Sequence, residues 1–274
     1  MINRLAFNHG LWDPTGKQLL DVFRCISLAD QSNSLKYAYR RDVKSFLAAR
    51  LLVLYVTKHC LSLDSALVNA QRDTDGRPYI INSFNFDFNL THNGDFTLLT
   101  SCQNMRTGVD VMRIELPPAT MSVDGFIHKM RYLFSSSEFY WINAGIDEKS
   151  KIRRFFRLWC LKEAFVKNTG TGLRIDVSSV EFDLTGDQPT CSFPGLVSEE
   201  WSFEEHSLPS NHVAAIAWRK YGFPISIFCK EPFQEVSFEQ IMSSVKPWNE
   251  VIGDIWSSYA SKELCPSSSR RLLS

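Results

Sequence analysis

The chain has 274 residues, 44% of them hydrophobic, and its 30 basic residues balance 30 acidic ones. That length and apolar content allow one large core or two modest ones and exclude a disordered or fibrous chain. Charge neutrality removes any whole-molecule field for nucleic acid or an anionic membrane, so function is expected to lie in local sites.

The opening MINRLAFNHG lacks the charged-then-apolar pattern of a secretory leader, and the longest apolar run, Leu51 to Val56, is too short to span a bilayer. A cytoplasmic location is expected, with neither membrane nor nucleic acid as partner. The seven cysteines are scattered, without a CxxC pair or a Cys/His cluster at zinc spacing, so reduced thiols are expected.

GLWDPTGKQ invites comparison with a phosphate loop. Gly10 and Gly16 stand one residue too far apart, however, and Gln18 occupies the position where Ser or Thr would hold magnesium, so that reading is rejected. Val43, Phe46, Leu47, Leu51, Leu54 and Tyr55 recur at helical spacing and predict a buried helix ending near Lys58. RDTDGRPYI predicts a turn at Asp75-Gly76, and FNFDFNLTH, FTLLTS and TGVDVM read as short strands.

SSSE at 135–138 resembles a capping box, with Gly145 as the helix stop. A long helix follows through RRFFRLWCLKEAFVKNTGTGL, with Gly170 and Gly172 shaping its exit. VSSVEFDL, EEWSFEEHSL and HVAAIAWRK alternate like strands of a second sheet, and CPSSSRRLLS reads as a frayed tail. The order helix, sheet, helix, sheet suggests two similar halves; ARLLVLYVTK and LWCLKEAFVK are a faint echo of duplication.

Alternation along GVDVM sends Val109 and Val111 to one face and Asp110 and Met112 to the other. Asp110 is then either a strand-end acceptor of backbone hydrogen bonds or part of a site, and His92, beside the Asn93-Gly94 turn, is open in the same way. Glu163 and Lys167 share a helix face, which on an isolated helix is an ion pair worth about 0.3–0.5 kcal/mol. Trp159, four residues before Glu163, puts that pair beside the aromatic face, where it could look into a cleft. Should Asp110 meet Glu163 there, the two carboxylates make a hard-oxygen site of the kind Mg²⁺ takes, with Lys167 neutralising phosphate charge.

Thr91-His92, then Gly108-Val109-Asp110, then Trp159-x-x-Lys162-Glu163-Ala164-x-x-Lys167 reproduce, in order, three motifs of the 4′-phosphopantetheinyl transferase superfamily. The chain resembles its larger, two-half members over roughly residues 10–220. The resemblance implies an α+β fold of two similar α/β halves with pseudo-twofold symmetry and coenzyme A in the cleft between them. Boundaries are expected at 1–108 and 109–235, with a C-terminal extension and tail at 236–274. The implied activity is that of a holo-[acyl-carrier-protein] synthase: transfer of the 4′-phosphopantetheine arm of coenzyme A to a serine of an acyl or peptidyl carrier protein, releasing adenosine 3′,5′-bisphosphate.

By the same resemblance, Asp110 and Glu163 would bind Mg²⁺, Glu163 would take the serine proton, and Lys162 and Lys167 would contact coenzyme A, Lys167 through phosphate. Arg72, Gly76, Arg77, Asn89, Leu90, Thr91 and His92 would hold the nucleotide. A monomer is expected. The sequence departs from the pattern at Met112, where some members carry a third acid, and near Asn33, where a basic residue lacks a clean match and Lys36 or Arg40 would substitute. The basic run Lys149, Lys151, Arg153, Arg154, Arg157 reads as a solvated helix start or as a surface steering an acidic carrier. The alternatives are a Mg²⁺-dependent hydrolase acting on coenzyme A and a protein that binds coenzyme A without transferring anything.

Overall fold

In the computed structural model, residues 1–225 and 230–265 are described; the expected tail, from residue 266 on, lies outside them. The chain begins with strand β1 (Ile2–Asn8) and helices α1 (Gly16–Cys25), α2 (Leu28–Leu35) and α3 (Arg40–Leu61). A small hairpin, β2 (Ala70–Arg72) and β3 (Pro78–Ile80), precedes a longer one, β4 (Phe86–Asn93) and β5 (Phe96–Gln103). The second half repeats this plan with β6 (Arg106–Arg113), α4 (Val123–Lys129), α5 (Ser136–Asn143) and α6 (Glu148–Thr169). It continues with a small hairpin, β7 (Glu181–Asp183) and β8 (Thr190–Ser192), and a long one, β9 (Trp201–Leu208) and β10 (His212–Arg219). β11 (Gln234–Glu235), α7 (Phe238–Ser244) and α8 (Ile255–Ala260) follow.

The duplication is plainer in topology than in sequence. Strands run β1-β5-β4 in one sheet and β6-β10-β9 in the other, first beside last beside middle in both halves. α3 and α6 are each 22 residues long, and β4 and β9 share one alternation of buried and exposed positions. α3 covers the first sheet over Leu47, Leu51, Phe88 and Leu99. α6 covers the second over Phe155, Phe165, Phe203 and Ala215. Between the sheets lies a third apolar layer that includes Leu98, Val109, Val111 and Ile216. Alternation therefore turns Asp110 away from that layer, toward α6.

β4 and β6 are joined by side chains. Asp87, Asn89 and Asn93 accept hydrogen bonds from the N–H groups of Thr107, Val109 and Arg113 at 2.8, 3.0 and 2.9 Å. Thr91 interrupts this series, and its hydroxyl donates to Asp110 instead. Since β6 pairs with β10 from Arg106 onward, the division between halves falls at the turn before it, and a boundary after residue 108 would cut the strand. Residues 236–265 are no appendage: β11 pairs with β1, and Val236, Ile241, Val245, Ile255 and Tyr259 are buried in the first core. GLWDPTGKQ is a helix start, with Thr15 and Gln18 forming the capping box of α1, and Ser135 and Glu138 form that of α5.

Candidate active site

Gly108 sets the distance between β6 and α6. A Cβ there would lie 2.1 Å from the Ala164 carbonyl oxygen and 2.5 Å from the Asn168 nitrogen, so only glycine lets the helix backbone come this close. The approach brings Lys167 to Asp110. Its Nζ lies 2.7 Å from Asp110 Oδ1 and donates to Thr91 Oγ1 at 3.0 Å, while the Thr91 hydroxyl donates to Asp110 Oδ1 at 3.1 Å. The Cys160 thiol donates to Asp110 Oδ2 at 3.4 Å. Burial first, and the Asp110 charge second, keep that thiol protonated by raising its pKa well above the ordinary value.

Glu163 is placed differently. It is half-buried in the wall of a cleft of about 690 Å³ and hydrogen-bonds no group among the described residues. Burial and then the Asp110 charge lift its pKa to about 7, against the pull of Lys167. Lys167 is ion-paired with Asp110, and Glu163 beside them is left without a hydrogen-bond donor among the described residues.

The cleft runs from α6, where Glu163, Val166 and Lys167 line it, into the first half, where Leu90 and the β2–β3 hairpin do. At the hairpin tip, Asp73 Oδ1 accepts from the N–H groups of Asp75 and Arg77, both at 2.9 Å, and Gly76 takes φ +81°, which only glycine adopts without strain. Asp75 pairs with Arg174 just beyond α6, so the tip spans the cleft.

Residues 10–104 match the family model described as 4′-phosphopantetheinyl transferase, N-terminal, and residues 106–217 match that of the 4′-phosphopantetheinyl transferase superfamily. The L-aminoadipate-semialdehyde dehydrogenase-phosphopantetheinyl transferase of Rattus norvegicus is 30% identical over 231 residues, which are 79% of this chain and 74% of the relative. Its namesake in Homo sapiens is 27% identical over 286 residues, 96% of this chain and 92% of the relative. The chain belongs to the 4′-phosphopantetheinyl transferase superfamily.

In this transferase, Glu163, Lys167, Arg72, Gly76, Arg77, Asn89 and Leu90 all border the cleft, and Asp110 and Thr91 stand behind Lys167. Two expected coenzyme A contacts are occupied otherwise. Arg77 is buried, and its guanidinium is taken up by Asp87 and by the carbonyls of Lys167 and Thr107, so it ties β4, β6 and the end of α6 together. The Asn89 amide oxygen is committed to the Val109 N–H.

Lys162 is turned away from the cleft altogether. It is fully buried, 2.8 Å from Glu138 and bonded to the Val177 and Val180 carbonyls. Successive helix residues are rotated by about 100°, so Lys162 cannot share the direction of Glu163. His92 is exposed on β4.

The expected substitutes for the N-terminal basic contact, Lys36 and Arg40, do not line the cleft. Arg40 donates to the Lys262 and Ala260 carbonyls at 2.8 and 2.6 Å, and Lys36 to Asn33 at 2.8 Å. A first-half cation that does line the cleft is Arg50, held by Asp30 at 2.7 Å. Cys160, which donates to Asp110, shares one helix face with Glu163 and Lys167 at the i, i+3, i+7 spacing.

Proposed function

We propose that the cleft binds coenzyme A with Mg²⁺ and passes the 4′-phosphopantetheine arm to a serine of acyl or peptidyl carrier proteins. Asp110 and Glu163 would hold the ion, Glu163 would take the serine proton, and Lys167 would face phosphate. The observation that carries this reading is the undonated carboxylate of Glu163 in the cleft wall, beside Asp110 and Lys167.

Among the described residues no group of three or more His, Cys, Asp or Glu side chains is arranged to hold a metal. A two-carboxylate set fits Mg²⁺, which takes one or two protein carboxylates and completes its octahedron with water and substrate phosphate. The ion would neutralise the pyrophosphate and polarise its phosphoryl oxygens. The serine oxygen bonds to the phosphorus on the pantetheine side of the pyrophosphate, and the bond from that phosphorus to the bridging oxygen breaks. Adenosine 3′,5′-bisphosphate leaves with the electron pair. Glu163, which no described group supplies with a hydrogen bond, would accept the serine proton. Lys167, oriented by Thr91 and Asp110, supplies fixed positive charge where negative charge gathers.

The same reading has the chain working as a monomer in the cytoplasm, with a carrier domain rather than nucleic acid or membrane as its partner. Both halves that form the cleft come from one chain, the net charge is zero, and no helix among the described residues is long and apolar enough to cross a membrane. Incubation with coenzyme A, Mg²⁺ and an apo carrier domain, read by intact mass, tests it. The expected result is a carrier heavier by one phosphopantetheine; coenzyme A breakdown with the carrier unchanged would indicate a hydrolase, and binding alone a non-catalytic protein.

A further inference from the structure

The family-model match ends at residue 217, yet part of the cleft wall comes from beyond it. Trp248 lies in the segment that returns to the first half and is held against the α1–α2 junction. Its indole N–H donates to the Cys25 carbonyl at 2.8 Å, and its backbone N–H to the Arg24 carbonyl at 2.9 Å. Asn249 repeats the anchoring, with its backbone N–H on Arg24 at 3.0 Å and its side-chain amide on Ile26 at 3.2 Å. Two residues earlier, the Lys246 N–H donates to Ser65 Oγ at 3.2 Å. The edge of the ring is thus fixed, while the residue stays 43% exposed in the cleft wall beside Cys25, Ile26 and Val68. A tryptophan serving only as core would be covered.

We propose that Trp248 is a substrate-contact residue of the transferase, its indole face stacking on the adenine of coenzyme A. The proposal rests on the coenzyme A reading above and adds a residue to it. Glu163 and Lys167 place the reacting pyrophosphate at the α6 wall, and away from α6 the cleft is lined by the first half and Trp248. Of the two ends of coenzyme A, the arm departs attached to a folded carrier and belongs on the open side. The nucleotide stays until the bond breaks and is the end that can extend into the first half. Its purine is the planar aromatic group of the molecule, and a pinned indole is preorganised to stack on it.

The test compares Trp248→Leu and Trp248→Phe in the full chain by calorimetry with adenosine 3′,5′-bisphosphate, coenzyme A and 4′-phosphopantetheine. Leucine keeps apolar bulk without a π face. It is expected to weaken adenosine 3′,5′-bisphosphate and coenzyme A by about 5- to 150-fold, the range for one base–aromatic stack, with a smaller loss for phenylalanine and none for phosphopantetheine. Equal affinities in all three proteins, equal losses in both variants, or a loss confined to phosphopantetheine would overturn the assignment. If the leucine variant unfolds, quenching of tryptophan emission by adenosine 3′,5′-bisphosphate decides: it should be weaker in Trp248→Phe than in wild type, and equal quenching counts against stacking. A wild-type chain that binds neither coenzyme A nor adenosine 3′,5′-bisphosphate overturns the coenzyme A reading itself, and this assignment with it.

Discussion

Lys162 and Glu163 are adjacent in sequence and serve opposite sides of α6. The lysine reaches Glu138 at 2.8 Å inside the second core, and the glutamate borders the cleft. Glu138 also accepts from the N–H groups of Ser135 and Phe182, both at 2.9 Å, so one buried carboxylate links α5, β7 and α6. The lysine of the Trp-x-x-Lys-Glu motif therefore ties α6 to α5 and β7, while its neighbour Glu163 faces the cleft.

Lys162→Met is accordingly expected to act on stability. Removing one partner of a buried pair costs about 3–5 kcal/mol, and the two backbone donors left to Glu138 favour the lower end. Denaturant unfolding measures the loss, and the folded fraction should bind coenzyme A as wild type does. A fully stable variant with weakened coenzyme A binding would make Lys162 a ligand after all.

Glu163→Gln keeps the shape of the side chain and removes both its charge and its proton affinity. Turnover should fall by about 10²- to 10⁴-fold, the range for losing a general base or metal ligand, with the circular dichroism spectrum and melting temperature preserved. The variant should also lose Mg²⁺-dependent stabilisation. In wild type, ion at ten times its dissociation constant would add about 1.4 kcal/mol, read as a rise in melting temperature with no substrate turning over. Near-normal turnover would remove Glu163 from the chemistry.

Gly108→Ala tests the close approach on which the site depends. The new methyl group meets backbone atoms of Ala164 and Asn168, which cannot rotate aside, so α6 must retreat from β6. Overpacking of this kind costs typically about 1–3 kcal/mol. Turnover should drop as well, because Glu163 and Lys167 move with the helix. Wild-type turnover and stability would mean that α6 does not sit this close.

What the sequence revealed of the site were features of single elements: the alternation that isolates Asp110, the helix face shared by Glu163 and Lys167, and the capping box at Ser135. What stayed hidden depended on partners distant in the chain. The turn at Asp75-Gly76 carries no sign of what Arg77 does, because the Thr107 and Lys167 carbonyls that take up its guanidinium come from the other half. α2 shows no apolar stripe because its buried face carries Gln31 and Ser34. Gln31 is tolerated there because it donates to the Phe23 and Glu250 carbonyls at 2.8 Å and accepts from the Ile252 N–H at 3.2 Å. The same C-terminal segment brings Trp248 to the cleft, so no local pattern could have placed it.

Glu204 gives the stability of the fold a defined acid limb. Burial alone would raise its pKa, but hydrogen bonds from His206, Arg4 and Trp218, with the Arg4 charge, outweigh it and hold the carboxyl at about 2, below the ordinary 4.5. A depressed carboxyl stabilises the folded state above its unfolded pKa. That contribution, on the order of a few kcal/mol, is lost as pH falls from about 4.5 toward about 2. Glu204→Gln should flatten the decline of unfolding free energy over that window and lower stability at neutral pH, where Arg4 loses its partner. An unchanged acid slope would place the titrating group elsewhere.

The basic start of α6 is less available than its sequence suggests. Lys151 is paired with Asp124 at 2.8 Å, Arg157 with Glu205 at 2.8 Å, and Arg154 stacks on Trp141 and donates to its carbonyl. Arg153 is exposed and bonded to the Ser207 hydroxyl at 3.2 Å, so its charge meets no carboxylate among the described residues. If an acidic carrier is steered here, Arg153→Glu should raise the carrier KM and make it less sensitive to salt, leaving coenzyme A affinity unchanged. Arg157→Glu should mainly destabilise, because it sets two acids against each other over β9. Steady-state kinetics at low and high ionic strength distinguish the two, and an unchanged carrier KM for Arg153→Glu would leave this face an ordinary solvated helix start.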